Sequence, residues 1–352
     1  MSWRLARQLA REHGASVTLW IDAPQTLRAI APDARPGRTT DSPALAHWND
    51  ARPVGGARRV AVSAFGCELP PAVRASLPPL WVNLEYLSAE PWIDGCHGLA
   101  SRKPDDGAVE HFYYPGFTPA SGGLLRERGL IASRDAFRAP GNPERWLTAH
   151  GFDVRPDERR ISLFCYPDAP VARLLAELAE EPSPTHLLVP EGVADEQLTA
   201  FLGEVLSPGA QARRGALRVE RFALLAQDGY DRLLWSCALN FVRGEDSWIR
   251  AIWSGSPFVW QPYRQSERAH QPKLDAFLAR FALAAGAPEA SAAAAALMHA
   301  WSDAGEPGPA WNAYAAKLPE IGAAHARWAK ALAGSTDLAT RLVEFCEMRL
   351  AA

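Results

Sequence analysis

From residue 160 to residue 261 short apolar runs alternate with amphipathic stretches, and this alternation restricts the chain more than any other feature. Runs at 160–166, 185–190, 217–222 and 257–261 have strand length. The intervening stretches 171–179, 195–202 and 227–236 have helical spacing. A strand-helix-strand order of this kind gives parallel strands with helices on both faces, because parallel neighbours need a crossover.

The stretch from Asn240 to Trp253 belongs to the same series, and it is chemically the most informative. An apolar strand passes through Arg243 and Gly244 into a helix that opens with Glu245, Asp246 and Ser247. A helix start carries unpaired N–H groups and about half a positive charge, which suits a diphosphate. Two carboxylates there would repel it, so in that reading they face sugar hydroxyls or a proton to be moved. The alternative is that Glu245, Asp246 and Ser247 simply cap a surface helix. In the same half, Phe164 and Tyr166 end a strand and offer rings to a base, and Gln227 offers hydrogen bonds to its edge. No P-loop and no GxGxxG fingerprint competes.

The first 140 residues form a weaker series. Residues 3–13 have one apolar side and stop at Gly14, which predicts a helix feeding a strand at 16–22. That is the second half of a βαβ unit; the first strand, normally near the sheet centre, is absent. Residues 24–57 are rich in Pro, Gly, Asp and Arg and are expected to be mostly loop, with a short strand near Trp48. Strands follow at 59–66, 80–86 and 111–118, and a short helix at 69–75. Asn83, Glu85 and Tyr86 fall at a strand's carboxyl end, where open α/β sheets bind ligands or polar groups cap the next turn. The Gly/Ser stretch 118–124 either wraps a ligand or makes a tight connection.

Pro, Gly and charge cluster around a short helix at 143–150 and mark a boundary. The expected division is therefore 1–140, an acceptor-binding domain; 141–335, a nucleotide-sugar-binding domain; and 336–352, a terminal helix that returns to the first. Two Rossmann-like domains facing a cleft are the GT-B type of glycosyltransferase.

Composition narrows the partners. The chain of 352 residues is 48% hydrophobic and 22% charged, with net charge −3, slightly positive before residue 140 and slightly negative after it. That argues against bulk nucleic-acid binding. The 5 cysteines are scattered, have no CxxC spacing and are expected to be reduced core residues, with no metal site and no cofactor. No apolar run approaches the roughly 18 residues of a membrane span, and a cytoplasmic location is expected. Arg7, Arg11, Arg126 and Arg128 are read as solvated faces, or as a surface for an acidic partner.

Five ordered motifs are more specific than the fold: Asn83-Leu84-Glu85-Tyr86-Leu87-Ser88-Ala89-Glu90, Tyr114-Pro115-Gly116-Phe117-Thr118, Gly122-Gly123-Leu124-Leu125-Arg126-Glu127, residues 227–235, and Arg243-Gly244-Glu245-Asp246-Ser247. Together they resemble the elongation factor P arginine rhamnosyltransferases of bacteria, from Trp3 nearly to the end. The resemblance implies a metal-independent inverting enzyme that moves L-rhamnose from dTDP-β-L-rhamnose to one arginine of translation elongation factor P. It implies a catalytic Glu245, with donor contacts from Phe164, Tyr166, Gln227, Arg243, Gly244, Glu245, Asp246 and Ser247.

The chain departs from that family at its start. Members carry a strand and a loop of the type D-N-x-G-D-I-G-V ahead of the W-R-L-A-R-Q-L-A helix, and the loop aspartate is the family's proposed base. Here no residue inherits that role, Asp22 included. The resemblance then implies that the chain binds the donor and turns over little, with a first domain lacking its first strand. The competing class is a non-catalytic protein that holds a nucleotide sugar or elongation factor P, against which intact Glu245 and Asp246 argue. A third reading, an epimerase or lipid-linked sugar transferase of the same fold, lacks a membrane-docking stretch.

Overall fold

The computed structural model describes residues 1–34, 42–51, 59–75, 77–265, 268–303, 305 and 307–351. The chain divides into two compact units: Met1–Arg128 with Gly334–Ala352, and Gly129–Ala333. The break falls before residue 130 rather than at 140, because the helix Leu130–Phe137 belongs to the second unit.

The first unit opens with α1 (Ser2–His13), which ends at Gly14 in the left-handed conformation that a helix stop favours. β1 (Thr18–Ile21) follows, then α2 (Pro24–Ile30) and β2 (Ala44–His47). A helix at 24–30 corrects the loop expected there. Its Pro sits in the first turn, where no N–H is needed, and only Leu27 is buried, so little periodicity announced it. Residues 35–41 and 52–58, part of the same expected loop, lie outside the described residues. Next come β3 (Val60–Ala64), α3 (Pro71–Arg74), β4 (Leu80–Leu84), α4 (Ile93–Cys96), β5 (Ala100–Arg102) and β6 (Val109–Tyr113). β1 and β2 pair in parallel as one sheet, and a second sheet runs β3-β4-β6-β5, parallel except for β5.

A terminal helix, Leu338–Ala351, packs in this unit. Leu338, Leu342 and Phe345 join Leu5, Leu80, Val82, Leu84 and Tyr113 in one buried cluster. Arg341 donates to the carbonyls of Thr118, Pro119 and Ser121, so the Gly/Ser stretch is a fastened turn. A Cβ at Gly122 would fall 2.3 Å from the Tyr113 ring, which requires glycine there. Arg7 is only 8% exposed and lies near Asp33, and Arg126 donates to the Ser335 carbonyl; neither is a solvated face. Cys165 and Cys237 are buried, but Cys67 is exposed and no core residue.

The second unit continues with α5 (Leu130–Phe137), α6 (Asn142–Ala149), β7 (Arg159–Leu163), α7 (Val171–Glu180), β8 (Thr185–Pro190), α8 (Asp195–Leu202), β9 (Gln211–Arg214), β10 (Leu217–Phe222), α9 (Gln227–Ser236), β11 (Leu239–Arg243), α10 (Asp246–Ser254) and β12 (Phe258–Gln261). The alanine-rich remainder is α11 (His270–Ala285), α12 (Pro288–Ser302), α13 (Pro307–Ala316) and α14 (Leu318–Ala333). The sheet order is β12-β11-β7-β8-β10-β9, with β9 antiparallel and the rest parallel. β8 and β10 are buried along their whole length, as parallel strands covered on both faces must be. β10 alternates apolar and charged residues, yet Arg218 and Glu220 are buried; Arg218 is satisfied by Glu158, Gln211 and the Asp153 carbonyl. No described helix is long and apolar enough to cross a membrane.

Candidate active site

The chain adds β8 and β10 to one side of β7, then returns to place β11 and β12 on the other. The strand order therefore reverses between β7 and β11, and the crevice beyond the carboxyl ends at such a reversal is where open α/β sheets take ligands. Phe164 and Tyr166 leave β7 there, and Arg243 ends β11.

Gly244 makes the turn from β11 into α10 with φ 62, a conformation costly for any residue with a Cβ. Its N–H donates to the Gln261 carbonyl at 3.1 Å, and its carbonyl accepts from Trp260 Nε1 at 2.7 Å. Both backbone groups of Gly244 are thus tied to β12. The glycine also makes room, since an added Cβ would lie 2.9 Å from the Tyr166 hydroxyl. Trp260 stacks on Trp248 of α10 with centroids 3.7 Å apart, fixing the helix against the strand.

The residues after the glycine do not behave as a simple cap. Glu245 is the residue before α10, yet its side chain makes no capping bond. Its carboxylate meets Lys273 of α11 instead, with Nζ to Oε1 at 3.1 Å. Ser247 turns back on Arg243: its hydroxyl accepts from the Arg243 N–H at 3.1 Å and donates to the Arg243 carbonyl. Asp246 opens the helix and is half-buried, close enough to Tyr230 to help raise that phenol's pKa, chiefly raised by burial.

The Arg243 guanidinium lies over two rings, 4.4 Å from the Phe164 centroid and 4.7 Å from that of Tyr166. Phe164 also meets Tyr230 edge-on, and Tyr166 meets the exposed Tyr263. Burial raises the Tyr166 pKa, opposed by the charge of Arg243. The Tyr166 N–H donates to Gln261 Oε1 at 2.8 Å, Gln261 donates to Asp168, and Asp168 pairs with Arg264 at 3.2 Å. Gln227 is the first residue of α9 and is 8% exposed, one turn before Tyr230. Behind both helices Asp231 of α9 accepts from Arg250 of α10 twice, at 2.8 and 2.6 Å, and both side chains are buried.

Contacts thus link Phe164, Tyr166, Arg243 and Ser247, with Gly244, Glu245 and Asp246 next in the chain and Gln227 on the adjoining helix. The arrangement offers aromatic surface, three basic groups in Arg243, Arg264 and Lys273, and a carboxylate held by one of them. Such a set suits an anionic nucleotide.

The model of the family described as elongation factor P (EF-P) rhamnosyltransferase EarP matches residues 1–347. The chain belongs to that family. It is 43% identical to the protein-arginine rhamnosyltransferase of Pseudomonas putida, over 98% of this chain and 94% of the relative. The protein of the same name from Shewanella oneidensis is 36% identical, over 98% and 93%. A solved structure concerned with EarP-mediated arginine glycosylation of translation elongation factor EF-P superposes with a TM-score of 0.72 at 35% identity, covering 99% of this chain and 93% of that one. The chain is accordingly a glycosyltransferase of the protein-arginine rhamnosyltransferase family, with the family's GT-B-like α/β fold.

Sequence reasoning missed Lys273, Trp260, Gln261, Asp168, Arg264 and Tyr263. Lys273 stands in an alanine-rich helical region with no local motif, and only the tertiary fold carries it to Glu245. Tyr166 and Gln261 occupy separate strand ends, and an alternation of apolar residues does not tell which ends become neighbours.

Proposed function

We propose that this chain moves L-rhamnose from dTDP-β-L-rhamnose to an arginine of translation elongation factor P, with inversion at the anomeric carbon, in the cytoplasm. The observation that carries the reading is the pairing of an anion-suited helix start with a carboxylate that is held by Lys273 rather than used as a cap. In this reading Phe164, Tyr166 and Gln227 hold the thymine, while Arg243, Lys273 and the start of α10 receive the diphosphate.

The chemistry demands both parts. A bond forms between a guanidine nitrogen and the anomeric carbon as the bond from that carbon to the dTDP oxygen breaks, and one proton leaves the guanidinium. The departing diphosphate gains charge, which cations and a helix start stabilise. A guanidinium with a pKa above about 12 is a poor nucleophile while charged, so a carboxylate must orient it and favour loss of the proton. Glu245 is the catalytic carboxylate beside the departing diphosphate, Gly244 and Ser247 shape the turn that presents it, and Asp246 begins the helix beside it. The second unit binds the donor and the first receives the acceptor.

Titrating the chain with dTDP-rhamnose reads the donor step, and intact-mass analysis of elongation factor P reads transfer. Saturable donor binding that weakens in Arg243→Ala, with one deoxyhexosyl increment on an arginine peptide that is lost in Glu245→Gln, supports the assignment. Preference for a different sugar nucleotide would overturn it.

A further inference from the structure

Among the rings that hold α10 to β12, one reaches the backbone of the Gly244 turn. Trp248 of α10 and Trp260 of β12 are stacked, and Phe277 of α11 meets both edge-on, with centroids 5.1 and 5.4 Å away. All three residues are at most 1% exposed, so the Trp260 indole is held in one orientation. Apolar packing makes no use of an indole N–H, yet this one is used: it donates to the Gly244 carbonyl at 2.7 Å. Lys273, one helical turn before Phe277, reaches Glu245 from the same face of α11.

The indole contact decides which way a peptide faces. The Gly244–Glu245 peptide is trans, so its carbonyl and its N–H point in opposite directions. With the carbonyl drawn to the indole, the N–H of Glu245 is turned away from it. A glycine at φ 62 does not settle that choice unaided, because without a Cβ the peptide after it can turn over at little steric cost. Turned over, it would set a carbonyl oxygen where the N–H now stands. An anion at the start of α10 would then meet an acceptor in place of a donor.

We propose that Trp260 is a positioning residue for donor binding: its indole N–H holds the Gly244–Glu245 peptide with the N–H towards the diphosphate and the carbonyl away from it. The residue acts through the backbone rather than by touching substrate. On the other side of the glycine, the Gly244 N–H donates to the Gln261 carbonyl at 3.1 Å, so two neighbouring β12 residues orient both peptides that flank Gly244. The role rests on the reading of this site as the diphosphate's.

The test compares dTDP with thymidine, which keeps the base and sugar and lacks the diphosphate, by NMR titration of the whole chain. Wild type should hold dTDP more tightly than thymidine. In Trp260→Phe that advantage should shrink about tenfold with thymidine affinity unchanged. Trp248→Phe thins the same block and keeps the N–H, and should leave the advantage within about twofold of wild type. A general loosening of the fold would weaken both ligands alike. In wild type isotope-labelled at its glutamate nitrogens, the Glu245 amide is assigned by its loss in Glu245→Gln. It should move downfield on dTDP and stay in place on thymidine, whether or not Trp260→Phe folds. An unmoved amide, or a full dTDP advantage in Trp260→Phe, overturns the role and leaves the donor reading standing. A wild type that holds the two ligands equally strikes the diphosphate from this site, and the role falls with it.

Discussion

Lys273 Nζ stands 3.1 Å from Glu245 Oε1, joining α11 to the turn before α10 across 28 residues of sequence. The pair is mostly shielded, with side-chain exposures of 20% and 14%, so its charges are screened less than a surface pair's. The lysine cancels a carboxylate that would otherwise oppose a diphosphate at the helix start. Lys273→Met is therefore expected to weaken dTDP binding about tenfold, and Glu245→Gln in the same chain to bring it back within about threefold of wild type. Calorimetry on the two single variants and the double variant checks this. Equal losses in Lys273→Met with and without Glu245→Gln would mean that the lysine acts on the nucleotide alone.

Gly244→Ala tests the turn. The left-handed φ of 62 costs an alanine about 1–2 kcal/mol, and its Cβ would also press on the Tyr166 hydroxyl at 2.9 Å. Urea unfolding should show a loss of that size, and dTDP affinity should fall with it. Adding Tyr166→Phe removes the contact and leaves the dihedral cost, so recovery should be partial. Full recovery would place the whole defect in the contact.

The elements that could be read from the sequence are those with a local signal. Thr185–Pro190 and Asp195–Leu202 were expected at the observed bounds, because the strand carries the apolar run Leu187 to Pro190 and the helix after it opens on acidic residues and closes on Gly203. β9 has only one neighbour, and its Gln-Ala-Arg-Arg is exposed or half-exposed, so it carries no apolar signal. α5 buries Leu130 alone and carries as little. The candidate site divides in the same way. Arg243 to Ser247 are consecutive and announce a strand-glycine-helix junction, whereas the cation that balances Glu245 comes from a helix beyond β12. The stack of Arg243 on Phe164 and Tyr166 depends on register between β7 and β11, which alternation does not fix.

Arg250 and Asp231 lock α9 to α10, the helices that begin with Gln227 and Asp246. Removing one member of a buried, doubly hydrogen-bonded pair leaves a charge without its counter-ion, so Asp231→Asn or Arg250→Met should cost about 3–5 kcal/mol. Replacing both with apolar residues of similar volume should cost far less. Chemical denaturation measures both. Losses that simply add in the double variant would show that the two side chains do not act as a unit.

His325 of α14 gives the fold a dependence on acid. The ring is 2% exposed, stacked on Phe281 with centroids 4.3 Å apart and 4.5 Å from Phe258. Its Nε2 has no hydrogen-bond partner among the described residues, and burial lowers its pKa to about 3. The folded chain therefore keeps this histidine neutral at pH values where the unfolded chain, with a pKa near 6.5, takes up a proton. Below about pH 6.5 the unfolded state binds more protons, so this residue lowers stability as pH falls and contributes no slope above that pH. Replacing it with phenylalanine removes the titration and keeps an aromatic ring in the stack. The stability of His325→Phe relative to wild type should rise by about 2 kcal/mol between pH 6.5 and pH 5 and stay level from about pH 7.5 to 8.5, measured by urea unfolding. A difference that stays constant across the acid range would show that the folded chain protonates His325 as readily as the unfolded one.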